Sequence, residues 1–141
     1  MINATKESSP VHGGPSTRIG RLVSRFGPPI VLMAAIFVLS SQTSDVQDRA
    51  LWDVMLRKLA HVTEYFLLTV AWVRALGWRP GLAAVLSIAY AGTDELHQTL
   101  VHGRHGTPVD VLVDAIGVTL ALVYYARRRR RTIGPSRPSA A

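Results

Sequence analysis

The sequence predicts an all-α protein: a four-helix transmembrane bundle with polar, disordered N- and C-terminal tails. Three observations lead there. Hydrophobic residues make up 48% of the 141 residues, and the mean hydropathy is +0.21 in spite of the polar ends. The apolar content is gathered into four runs separated by polar or Gly/Pro-containing breaks. Read as four spans, the runs segregate charge. Eight of nine acids fall toward one side, and twelve of sixteen Lys and Arg toward the other. Membrane proteins retain Lys and Arg in the cytoplasm. Both termini are therefore expected in the cytoplasm, and the acids mark the outer half.

By length the chain is one domain. Residues 1–25 read as a disordered, basic N-terminal tail, 26–126 as the transmembrane domain, and 127–141 as a basic cytoplasmic tail. The first apolar run is Ile30 to Leu39, or Phe26 to Ser41 at its widest. That is short against the roughly 20 residues a span needs. A cleaved signal peptide would also show a basic flank and a short apolar run. Cleavage, however, would leave an odd number of helices with basic segments on opposite sides. Asp45 to Lys58 reads as a polar loop with an interfacial helical turn around Trp52. The second span is expected over Leu59 to Trp78, closed by the turn Trp78-Arg79-Pro80-Gly81 at headgroup level. The third is expected over Leu82 to Leu100, and the loop His102 to Gly106 follows. The fourth opens near Pro108, a favourable early-helix residue, and ends near Ala126.

The net charge of +7 and pI near 10.8 raise the question of nucleic acid. Arg127 to Arg131, however, directly follow an apolar run ending in Tyr124 and Tyr125. That is the pattern of a cytoplasmic stop and lipid-headgroup anchor, and no nucleic-acid partner is expected. There is no Cys, so disulfide and thiolate chemistry are excluded.

The polar residues of the last three spans fall on helical stripes. At about 100° per residue, Lys58, His61, Tyr65 and Thr69 share one face of the second span. Ser87, Tyr90, Asp94 and Gln98 share a face of the third, with Glu95 at its edge. Thr107, Asp110, Asp114 and Gly117 share a face of the fourth. Carboxylates are costly against lipid, so the stripes are expected to face one another as a polar cluster near the outer surface. A purely structural role competes with a functional one: polar groups hold membrane helices together, though weakly per contact. So many ionisable groups exceed what such packing needs. Gly117 and Ala121 supply a small-residue contact. Glu64 lies off the main stripe, within reach of Arg57. Asp45, Asp48 and Asp53 read as a solvated loop face.

These residues resemble the VanZ-like family. The resemblance rests on Ser41-Gln42 after the first span, Lys58-Leu-Ala-His61-Val-Thr-Glu64-Tyr65, Asp94-Glu95-Leu-His-Gln98, Arg104, and Asp110 with Gly117. The family pattern has a Ser-Gln pair, Lys-x-x-His-x-x-x-Tyr, Asp-Glu-x-x-Gln, an Arg, and Asp-x-x-x-Asn-x-x-Gly. The likeness covers about residues 30–125. Asp114 stands where the family usually carries Asn, and the loop around Arg104 departs from the usual Pro-Gly-Arg form. The resemblance implies a small bacterial integral membrane protein, with some relatives linked to teicoplanin resistance. It implies no particular reaction.

Two functions compete. In the first, the cluster binds the anionic headgroup of an envelope lipid, a lipid-linked envelope precursor or a glycopeptide-type ligand. Lys58, His61 and Arg104 would meet the anion, Tyr65 and Gln98 would add hydrogen bonds, and Asp94, Glu95, Asp110 and Asp114 would orient the cations. Four acids repel an anion unless some are paired or protonated, and clustered acids rarely all ionise. In the second, the acids and His61 form an intramembrane, metal-dependent hydrolase or transferase acting on envelope lipids. No HExxH or GxSxG motif supports it, and no cofactor or metal is expected. A small transporter is disfavoured by the lack of a repeat and of broken spans.

Overall fold

The computed structural model describes residues 15–41, 51–100 and 108–132. They form four helices: α1 (Pro15–Ser40), α2 (Leu51–Ala75), α3 (Pro80–Leu100) and α4 (Pro108–Thr132). No strand occurs among the described residues. The all-α, four-helix expectation holds. At 1.5 Å per residue, even the 21 residues of α3 reach about 31 Å, the thickness of a bilayer's hydrocarbon core.

Three helix ends lie outside the expected bounds. α1 reaches back to Pro15, so residues 15–25, expected to be disordered, are helical. Proline suits a first helical position, and Arg18, Arg21 and Arg25 are good helix formers. α2 begins at Leu51, so the segment expected as loop up to Lys58 supplies its first two turns. Asp53 lies in its first turn, where a carboxylate complements the helix dipole. α4 continues through Arg127 to Arg131, cations that suit a helix C-terminus. Hydropathy marks where apolar side chains stop, whereas the backbone follows helix propensity.

α1 carries Pro28 and Pro29 in its interior. Each removes an N–H from the helical ladder, a loss that neighbouring groups can absorb in membrane helices. Close by, the Arg25 Nε donates to the carbonyl of Ala75 at the end of α2, capping a carbonyl that has no intrahelical donor. The guanidinium also lies over the Phe26 ring at 5.6 Å.

The α2–α3 turn is a Schellman motif. The Trp78 N–H bonds to the Val73 carbonyl at 2.9 Å, and the Gly77 N–H to the Arg74 carbonyl at 3.4 Å. Gly77 takes the left-handed conformation (φ 66°) that this cap requires and glycine allows. Trp78 shares that φ, which is unusual for a bulky residue.

α2 is central. It packs on all three other helices and most extensively on α4, whereas α1 and α4 do not meet. The apolar core joins Ile36, Tyr65, Leu68, Ala91 and Val118. α3 turns a stripe of small residues inward, Ala83, Ser87 and Ala91, at the four-residue spacing that lets membrane helices approach closely. At Gly117 an added Cβ would fall on the Val62 carbonyl oxygen and lie 3.0 Å from the Phe66 N. This glycine is what lets α4 seat against α2.

Burial runs opposite to that of a water-soluble protein. Thr69, Ser87, Asp94, Gln98 and Asp114 are buried, while Val31, Phe37, Leu67, Val85, Leu112 and Ile116 are exposed. An apolar exterior of this extent calls for a nonaqueous surrounding. Arg18–Ser40 and Val109–Arg131 are each long and apolar enough to cross a membrane. α2 and α3 do not reach that mark, because they carry the buried polar stripes.

Candidate functional site

The C-terminal ends of α1 and α3 and the N-terminal ends of α2 and α4 meet at one end of the bundle, and the polar residues gather there. Lys58 Nζ donates to Asp110 Oδ1 across 3.2 Å. Both side chains are partly open, at 44% and 37% exposure. One turn further into the bundle, His61 Nδ1 lies 3.2 Å from Asp114 Oδ1, with the side chains 20% and 3% exposed. The two atoms are within ion-pair distance but are not aligned as a hydrogen bond. A lysine and a histidine of α2 thus each face an acid of α4. Asp114, which adds a carboxyl where the family usually carries an amide, has His61 as its partner.

The third helix brings its carboxyl elsewhere. Asp94 is buried, and its Oδ1 accepts from Ser40 Oγ at 2.6 Å while its Oδ2 accepts from Gln98 Nε2 at 2.9 Å. Asp94 therefore ties α3 to α1, an attachment that reading the last three spans alone did not reveal. Ser40 lies one turn beyond the buried Ile36, and that four-residue spacing was the available sign of its inward direction. Beside it, Ser41 Oγ lies 3.0 Å from His97 Nε2, and the His97 ring stacks on Phe37 at 4.2 Å. Ser41 and His97 make a second, half-exposed bridge between the same helices.

Tyr65 is fully buried. Its ring is nearly parallel to that of His61 at 6.5 Å and lies 6.4 Å from Tyr90. Its hydroxyl has no hydrogen-bond partner among the described residues, and neither has Glu95 Oε1. Glu95 was expected at the edge of its stripe but is itself buried, at 9% exposure. Buried polar groups are ordinarily satisfied, so the Tyr65 hydroxyl and Glu95 carboxyl retain hydrogen-bonding capacity inside this cluster. Deeper in the bundle the stripes end in a closed contact. Thr69 Oγ1 donates to the Tyr65 carbonyl at 2.8 Å and lies 3.0 Å from Ser87 Oγ. Tyr90 does not join the cluster through its hydroxyl, which donates to the Met33 carbonyl of α1 at 2.6 Å.

Of the expected site residues, Lys58, His61, Tyr65, Asp94, Glu95, Gln98, Asp110 and Asp114 all lie at this end. Arg104 and Thr107 lie outside the described residues. Among the described residues no three His, Asp or Glu side chains gather as a metal site would need.

A protein-family model, VanZ/LLP1, matches residues 20–129. The chain belongs to the VanZ/LLP1 family. The match spans all four helices and includes every residue of the polar end. With the apolar exterior and the two span-length helices, membership makes this a membrane protein of the VanZ type. No curated protein and no solved structure matches the chain.

Proposed function

We propose that this VanZ-family protein crosses the bacterial cytoplasmic membrane four times with both termini inside, and that its polar end binds an anionic envelope-lipid headgroup, or a glycopeptide-type ligand bearing such a group, in the outer leaflet. The observation that carries the reading is the pair of parallel contacts Lys58–Asp110 and His61–Asp114. Each acid fixes a cation of α2, so the cations meet a ligand already oriented. An ammonium has three donors, and Lys58 uses one on Asp110. With its side chain 44% exposed, it faces the opening of the cluster. Arg104, on the connection from α3 to α4, would complete the anion contact with a bidentate fork. The Tyr65 hydroxyl and the Glu95 carboxyl add hydrogen bonds from within. A ligand of this kind accounts for the link between the family and teicoplanin resistance, since binding precursor or drug headgroups at the outer face changes what the drug meets.

No bond chemistry is part of this reading. Lys58→Ala and Arg104→Ala should each abolish the cellular phenotype while expression and membrane insertion survive. Should both variants keep full activity while Asp94→Asn and His61→Ala lose it, with a stoichiometric divalent metal co-purifying, the protein is instead a metal-dependent hydrolase or transferase.

A further inference from the structure

At the opposite end of the bundle, a crevice of about 1040 Å³ opens between the start of α3 and the end of α4. Trp78, Gly81, Tyr125, Arg128, Arg129 and Arg130 line it. We infer that this crevice is a second lipid site, which seats the phosphate of an anionic phospholipid.

Four features converge on phosphate chemistry. Three consecutive arginines face one cavity, and no acid occurs in residues 65–93 or 115–132 to neutralise them. Arg129 and Arg130 make no ion pair among the described residues, and a guanidinium fork is the side chain best matched to phosphate. α3 begins at the cavity wall with Pro80 and Gly81; Pro80 has no N–H and the Ala83 N–H bonds to the Arg79 carbonyl, so the Gly81 and Leu82 N–H groups are the first-turn donors left without an intrahelical partner. A Cβ added to Gly81 would meet nothing within 4 Å, so this backbone is approachable.

The aromatic lining sets the depth and marks the occupant as a lipid. Trp78 and Tyr125 meet edge to face at 5.5 Å, and Trp78 stays 66% exposed. Trp and Tyr sit where headgroups meet acyl chains, with arginines one step outward. A free phosphate would use the arginines and leave the aromatic wall idle. A phospholipid would use both, its phosphate on Arg129, Arg130 and the start of α3, its glycerol and upper chains on Trp78 and Tyr125. Basic pockets between membrane helices hold anionic headgroups in this way. The assignment does not depend on what the polar end binds.

The test uses the full chain in nanodiscs with Trp52→Phe and Trp72→Phe, leaving Trp78 as the reporter. Phosphatidylglycerol or phosphatidylcholine, brominated near the carboxyl end of the chains, serves as the quencher. Trp78 should be quenched at a lower mole fraction of the brominated phosphatidylglycerol. Arg129→Gln with Arg130→Gln should weaken that preference roughly thirtyfold, the combined effect of two arginines at an anionic lipid surface. Arg127→Gln with Arg131→Gln removes the same charge from a different groove and should leave the preference within a fewfold of the parent. Gly81→Leu, which changes no charge but fills the crevice, should weaken it too. Equal losses in the two arginine pairs would mean diffuse attraction and overturn the site. So would no preference for phosphatidylglycerol, or loss of the preference to inorganic phosphate at matched ionic strength.

Discussion

Replacing Gly117 by Ala should loosen the bundle where it is most extensive. An added Cβ at this position falls on the Val62 carbonyl oxygen and lies 3.0 Å from the Phe66 N. Both obstacles are α2 backbone and cannot rotate away as a side chain can. A carbon and a carbonyl oxygen ordinarily stay about 3.3–3.6 Å apart, so α2 and α4 must part by roughly 1 Å. Overpacking of this kind costs about 1–3 kcal/mol. Alanine's better helix propensity returns about 1 kcal/mol, leaving a net loss of up to about 2 kcal/mol, against a gain at a position with room for the methyl group. The same separation stretches Lys58–Asp110 and His61–Asp114, which span the same interface. Gly92 supplies the control. It lies inside α3, and a Cβ there would meet nothing within 4 Å, so Gly92→Ala should be neutral or slightly stabilising. Reversible unfolding in mixed micelles measures both variants, and a binding or cellular assay reports on the site. If Gly117→Ala is as stable as Gly92→Ala, the close α2–α4 approach is not what the protein adopts.

Reporter fusions at residues 45 and 104 should read extracytoplasmic, and fusions at 79 and 141 cytoplasmic; a cytoplasmic signal at 104 would overturn the four-span topology. Ser40→Ala removes the donor to buried Asp94 and should cost about 1 kcal/mol, within the range for hydrogen bonds between membrane helices; no change in the unfolding free energy would show that α1 is not attached through Asp94. In double-mutant cycles, the Lys58–Asp110 coupling should stay below about 1 kcal/mol, as for half-exposed pairs. The more buried His61–Asp114 coupling should exceed it, and the reverse order would contradict the burial that separates them.

The placement of polar residues on inward faces was legible in the sequence, because a helix repeats every 3.6 residues whatever surrounds it. Lys58, His61, Tyr65 and Thr69 on α2, and Asp110, Asp114 and Gly117 on α4, fall on their faces by spacing alone. So does the apolar exterior, since any helix whose polar stripe is buried must turn its aliphatic face outward. Even the clash that makes Gly117 necessary was foreshadowed as a small-residue contact. The helix ends were less legible, as the apolar runs stop at Phe26, Leu59 and Ala126 while helical backbone runs through all three.

Partner choice belonged to the tertiary structure. Spacing put Asp94, Asp110 and Asp114 at similar depth, yet their partners are Ser40 and Gln98, Lys58, and His61 respectively. Which acid meets which cation depends on the axial offset and rotation of one helix against another, at about 1.5 Å and 100° per residue. Sequence period determines neither quantity. The same holds for the burial of Glu95, for the link from α1 to Asp94, and for the crevice that gathers Arg128 to Arg130 with Trp78. Each exists only where two helices come together, and only the close packing of small residues on α3 and α4 determines where that is.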